Sequence, residues 1–129
     1  MAALLQFTGL TFLVAYAVAT NCRVFGYWFL LPLTITTWEV HGGNRDVDLR
    51  ILDKSLAYWW MFVNTYWYII TEGWTNIPLT VCGLYAIVWR AMDPLRKSTW
   101  AHALAHVVSA SVGTCLLALH VNSTFRLTG

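Results

Sequence analysis

The chain has 129 residues, of which 58% are hydrophobic, 11% are charged and eight are Trp. A soluble domain carries about 25% charged residues, so eight basic and six acidic side chains are too few to cover a water-soluble fold of this length. These values exclude a disordered chain, a nucleic-acid-binding module and an ordinary cytosolic enzyme, and the net charge of +2 indicates no polyanionic partner. They predict an all-α, polytopic membrane protein.

Four apolar segments approach the 20 or so residues that a spanning helix needs. The predicted spans are 2–20, 55–71, 76–92 and 99–121. For the first of them a cleaved signal peptide is the alternative, because Ala17-Val18-Ala19 resembles a cleavage site, although no basic residue precedes the apolar run.

Two stretches between the spans are treated differently. Segment 25–38 is uncharged, short for a span and contains Pro32, so we expect an interfacial or re-entrant segment. Segment 39–54 is the one long polar stretch, and its Gly42-Gly43-Asn44 run is typical of a turn. The sequence therefore predicts a single transmembrane domain of four spans with a polar loop at 39–54.

The basic residues support the count of four. Four spans put seven of the eight Lys and Arg side chains on one side of the membrane and leave Arg126 on the other. The positive-inside rule favours this arrangement and places both termini on the non-cytoplasmic side. The expected location is an organelle inner membrane or a bacterial inner membrane.

Small residues recur every four positions along the last predicted span. They are Ala101, Ala105, Ser109 and Gly113. Such a stripe lets another helix approach closely in lipid, where packing drives association. It predicts either a docking face for a partner subunit or packing within the chain's own helix bundle.

Three histidines of this span, His102, His106 and His120, are candidates for cofactor ligation. His102 and His106 are four residues apart and share a helix face, so together they offer two ligands to one metal ion. A catalytic zinc site needs a third ligand, which His41 in the polar loop is able to contribute. His106 and His120 have the spacing of bis-histidine haem proteins, but no facing span carries a partner histidine. The sequence thus predicts no cofactor of its own, with haem or metal requiring a partner chain.

Glu72 is the one acid inside an apolar stretch, which marks it as a candidate functional residue. A desolvated carboxylate beside the aromatic rings of Trp67, Tyr68 and Trp74 suits a cationic ligand or a proton donor. The alternative places Glu72 at a turn near the headgroups, capping the next helix.

Region 72–115 resembles the family of emopamil-binding sterol isomerases and the sigma-two receptor. The similar elements are Glu72-Gly73-Trp74, Pro78 six residues after the acid, Leu84-Tyr85-Ala86-Ile87, and a polar hinge followed by a small-residue helix. The resemblance implies four spans around an apolar pocket. It also implies that Glu72 is a pocket acid, with aromatic side chains stabilising a cationic sterol intermediate or an amine ligand.

Two functions follow from these patterns. We expect a small structural or accessory subunit of an energy-transducing membrane complex, in contact with other membrane subunits and with bound lipids, and without nucleic acid. A sterol-type isomerase or amphiphile-binding protein built around Glu72 is the alternative. No catalytic constellation stands out in the sequence, so a structural role is favoured over catalysis.

Overall fold

A computed structural model describes residues 2–20, 26–73, 75–92, 94 and 97–121. Its helices are α1 (Ala2–Gly9), α2 (Phe12–Val18), a π-helical turn (Gly26–Leu30) that leads into α3 (Leu31–His41), α4 (Val47–Thr71), α5 (Ile77–Ala91), and α6 (Thr99–Leu116), which continues into a second π-helical turn (Leu117–Val121). The described residues contain no strand. The all-α prediction is confirmed.

The three long helices begin at side-chain caps. Asp46, Asn76 and Ser98 each accept a hydrogen bond from the backbone N–H three residues further on, at 3.1, 3.2 and 3.3 Å. These bonds satisfy one of the amides that a helix start leaves without a partner. Gly73 follows α4 with a φ of +55°, a conformation that glycine adopts without strain.

Among the described residues, one helix is long and apolar enough to cross a membrane. It is Thr99–Val121, with 23 residues and a mean hydropathy of 1.7. The apolar helices Ala3–Val18 and Ile77–Ala91 are shorter. This supports a membrane association, whereas the four-span arrangement stays a prediction.

The loop between α3 and α4 is shorter than the polar loop predicted at 39–54. The last turns of α3 reach His41 and α4 begins at Val47, so residues 42–46 alone connect the two helices. The Asp46 cap explains the difference, because it allows the charged residues that follow to form the first turns of α4.

The first two apolar segments also differ from their predicted form. Segment 2–20 is divided after Gly9, where the amides of Leu10 and Thr11 bond three residues back instead of four. Segment 25–38 is helical wherever the structure describes it. It packs into the core through Leu30 and Leu33, which are fully buried.

Helix α6 lies at the centre and contacts α1, α2, α4 and α5. Its main anchor is Trp60 of α4, whose side chain is 1% exposed. The Trp60 Nε1–H donates to the carbonyl of Ser109 at 3.2 Å, and the indole lies where a side chain on Gly113 would be. The absence of a side chain at Gly113 therefore determines how closely α4 and α6 approach.

Candidate metal centre

Three imidazole rings meet where α3 ends against α6. The ring centroids of His102 and His106 are 4.5 Å apart, and His41 lies 4.8 Å from the first and 5.1 Å from the second. One ring nitrogen from each residue lies within 4.8 Å of the other two. We call this group the histidine cluster. Its three nitrogen donors are near enough to converge on one metal ion.

The chain places these rings through ordinary helix geometry. His102 and His106 are one turn apart on α6 and project from the same face. His41 reaches them from the last turn of α3, which ends at Gly42. A Cβ at Gly42 would meet the amide of Gln6, which donates to the Trp38 carbonyl at 3.1 Å. Glycine at this position therefore lets α1 close over the end of α3.

A hydroxyl on α1 orients the His106 ring. The Thr8 Oγ1 lies 2.8 Å from the carbonyl of Leu4 and 3.1 Å from Nδ1 of His106. A threonine hydroxyl has a single proton. When that proton goes to Leu4, Nδ1–H of His106 must donate to Thr8 and Nε2 keeps its lone pair. This is the arrangement in which metal-binding histidines are normally held.

A carboxylate stands beside His41. Asp53, in the second turn of α4, accepts hydrogen bonds on one oxygen from the hydroxyls of Thr36 and Thr37, both at 2.9 Å. Burial lowers the pKa of His41, and the Asp53 charge opposes that effect only in part. His41 is therefore held in the neutral form that ligates metal, and the second Asp53 oxygen is left for another proton donor.

The histidine cluster lines a cavity of about 330 Å³. Its wall includes Asp53, Lys54 and the aromatic ring of Trp89, which lies over His102 with centroids 4.8 Å apart. Arg90 reaches the same cavity and donates to the Tyr58 hydroxyl at 2.5 Å. The cavity thus combines nitrogen ligands, one carboxylate and two cations with several aromatic and aliphatic side chains, which suits a substrate with a polar and an apolar part.

The sequence suggested only part of this site. It identified His102 and His106 from their spacing and named His41 as a candidate third ligand, but expected a partner chain to be needed. Here a single chain supplies all three rings. Asp53 was missed because it lies among many charged residues, and nothing local marks it as different.

Glu72 lies elsewhere. Its carboxylate is 17% exposed and lies 2.6 Å from Nε2 of His120, so α4 and the end of the α6 segment are joined there. Neither described cavity has Glu72 in its lining. Trp67 is buried, Tyr68 bonds to the Asn76 carbonyl at 3.0 Å, and Trp74 lies outside the described residues.

His120 is likewise separate from the histidine cluster, so the bis-histidine spacing corresponds to no paired site in the described part of the chain. Of the small-residue stripe, Ser109 and Gly113 pack against Trp60. Ala105 is buried, and the carbonyl of Ala101 accepts from the Tyr85 hydroxyl at 2.8 Å. The chain's own helices use this stripe.

No protein-family model, curated protein or solved structure matches this chain.

Proposed function

We propose that this chain is a membrane metalloprotein that hydrolyses an amphiphilic ester or amide. The observation that carries the proposal is the convergence of His41, His102 and His106 at a cavity that also contains Asp53. Three histidine ligands with a fourth position left to water are typical of catalytic zinc sites, while structural zinc is held by four protein ligands. Neutral imidazoles also bind copper or nickel ions, but the proposed hydrolysis favours zinc as the bound ion.

The chemistry divides between the metal and the chain. A zinc ion held there would lower the pKa of a water molecule and polarise the substrate carbonyl. Asp53 lines the same cavity and would act as the general base, taking a proton from water and returning it to the leaving alcohol or amine. The hydroxyls of Thr36 and Thr37 fix the orientation of the Asp53 carboxylate.

Metal content of the purified protein tests the proposal. We expect about one zinc per chain by mass spectrometry of the metal, and a loss of at least about tenfold in zinc affinity in the His102→Gln and His106→Gln variants. His120→Gln is the matched control, since it removes a histidine outside the histidine cluster. Equal zinc content in all four proteins would overturn the proposal.

Activity needs a second variant. Asp53→Asn keeps the shape of the side chain and removes its basic oxygen. It should retain zinc and lose hydrolysis of a fluorogenic long-chain ester by about 10²- to 10⁴-fold, the usual contribution of a general base. Unchanged hydrolysis in this variant would contradict the role assigned to Asp53.

A second function, that of an accessory subunit in an energy-transducing membrane complex, is favoured by a different observation. Large apolar side chains stand uncovered on several helices. Examples with at least half of their surface exposed are Trp59, Phe62, Leu104 and Leu119. Helices in lipid or against other membrane subunits have such faces. This proposal includes four spans with seven basic residues on one side.

Gentle detergent extraction followed by native mass analysis separates the two functions. A subunit should leave the membrane with other protein chains bound to it. A stable monomer carrying lipid and zinc would exclude the subunit role and leave the hydrolase. Glu72 bonds to His120 and does not line the histidine cavity, so no observation favours the isomerase.

A further inference from the structure

A second, smaller cavity of about 90 Å³ lies between α4 and α5. Its lining is mostly apolar and includes Leu79, Leu84 and Ile87 of α5. It shares Trp60, Met61 and Ser109 with the wall of the histidine cavity but contains none of the three histidines. The two cavities are therefore adjacent, and the histidine cluster lines only one of them.

One polar atom in this cavity lacks a partner. Asn64 is 7% exposed, and its Nδ2 donates to the Trp60 carbonyl at 2.8 Å. Because that carbonyl can only accept, the amide cannot be turned the other way, and Oδ1 is left buried without a hydrogen bond among the described residues. A buried acceptor in this state costs free energy until a donor reaches it.

The threonine hydroxyls of the lining are already engaged. Thr65 donates to the carbonyl of Met61 at 2.8 Å, and Thr80 donates to that of Asn76 at 3.0 Å. A buried water molecule normally needs two to four polar partners, whereas this lining is mostly apolar around the unsatisfied Asn64 oxygen. A ligand that is apolar over most of its length and has one O–H or N–H group fits the cavity better.

Space for such a ligand exists at Gly83. A side chain added there would meet no atom within 4 Å. Glycine in the middle of α5 costs helix stability relative to alanine, by roughly 0.5–1 kcal/mol, and no close helix contact at this position requires it. The open face at Gly83 and the unpaired Asn64 oxygen belong to the same cavity.

We infer that the cavity between α4 and α5 binds the hydrocarbon chain of a membrane amphiphile through one hydroxyl or N–H group, which donates to Oδ1 of Asn64. The site is independent of the proposed hydrolysis, because it neither contains nor requires the histidine cluster. The site selects amphiphiles that carry a hydrogen-bond donor, since a hydrocarbon chain without an O–H or N–H group leaves Oδ1 of Asn64 unsatisfied.

A matched pair of brominated probes tests the inference, with quenching of tryptophan fluorescence as the measurement. The probes are 2-bromodecan-1-ol and its methyl ether, added to the full chain in lipid nanodiscs. In both probes the bromine is on the carbon next to the one that carries the oxygen, so an oxygen held at Asn64 brings the bromine close to Trp60, but only the alcohol has a donor. We expect saturable quenching by the alcohol at about tenfold lower concentration than by the ether, since the ether leaves the buried acceptor unpaired.

Two variants and a control complete the test. Asn64→Leu should remove the difference between the two probes, and Gly83→Leu should weaken both by filling the cavity. Leu104→Phe alters an exposed side chain of α6 outside this lining and should change neither. Equal binding of the alcohol and the ether by the unaltered chain would overturn the inference without any variant, as would unchanged binding in Gly83→Leu.

Discussion

The hydrogen bond between Thr8 and His106 predicts how strongly a hydroxyl on α1 controls the histidine cluster. Thr8→Val replaces the hydroxyl with a methyl group of similar size. The exchange removes the acceptor that lies 3.1 Å from Nδ1 of His106. With zinc on Nε2, the Nδ1–H then loses the Thr8 oxygen as its acceptor. In the metal-free variant the ring proton is able to move to Nε2, so the cost falls on metal binding.

The size of the effect follows from that single bond. An unsatisfied buried donor costs about 1–3 kcal/mol, and about 1.4 kcal/mol corresponds to a factor of ten in affinity. We therefore expect Thr8→Val to weaken zinc binding by about 10- to 100-fold, the range found for residues that orient metal ligands. Competition with a fluorescent zinc chelator, in detergent at neutral pH, measures the change.

The matched control is Thr11→Val, one turn further along. The Thr11 hydroxyl donates to the backbone carbonyl of Thr8 at 2.6 Å, and no contact joins it to a histidine ring. Its zinc affinity should stay within about threefold of that of the unaltered chain, the usual spread for an interaction energy in a new context. If Thr8→Val binds zinc as tightly as Thr11→Val does, the assigned tautomer of His106 is wrong.

Three further predictions concern stability and pH, each measured by thermal unfolding of the detergent-solubilised chain. Gly113→Ala should cost about 1–3 kcal/mol, because the added methyl overlaps the Trp60 ring; unaltered stability would show that the indole has another place to go. Glu72→Gln should cost about 1 kcal/mol, with coupling to His120→Gln in a double-mutant cycle; additive losses would exclude a direct bond. In the chelator-treated chain, neutral His41 should contribute to folding stability above pH 6.5, the ordinary pKa of histidine. This contribution should be lost as the pH falls through the lowered pKa of His41 in the folded chain. In His41→Gln this part of the acid sensitivity should be absent.

The helices themselves were largely accessible from sequence. The break around Glu72 and Pro78 and the start at Ser98 are local signals, and the helix bounds Ile77–Ala91 and Thr99–Leu116 lie close to the predicted segments. Local sequence patterns do not show which side chains of a polar stretch point into the protein interior. For that reason the last residues of the helix that ends at His41, and the first turns of α4, were predicted as part of a loop.

The candidate site was accessible only in part, because its members come from distant segments. The spacing of His102 and His106 is visible along one helix, whereas the third ring comes from His41 at the end of a different helix, α3. Thr8 and His106 are 98 positions apart. No periodicity connects them, and only the folded structure brings them together.

Trp60 and the histidine cluster impose conditions on the same helix. Gly113 comes seven residues after His106, which is about two turns of α6, so the flat surface that receives the indole and the two ligating rings have nearly the same orientation around the helix axis. The hydrogen bond from Trp60 to the Ser109 carbonyl also constrains the position of α6 along that axis. A rotation of α6 by one residue, about 100°, would therefore turn His102 and His106 away from His41 and displace the indole together. In this protein a bulky side chain with no metal-binding atom sets the angular register that a coordination sphere needs.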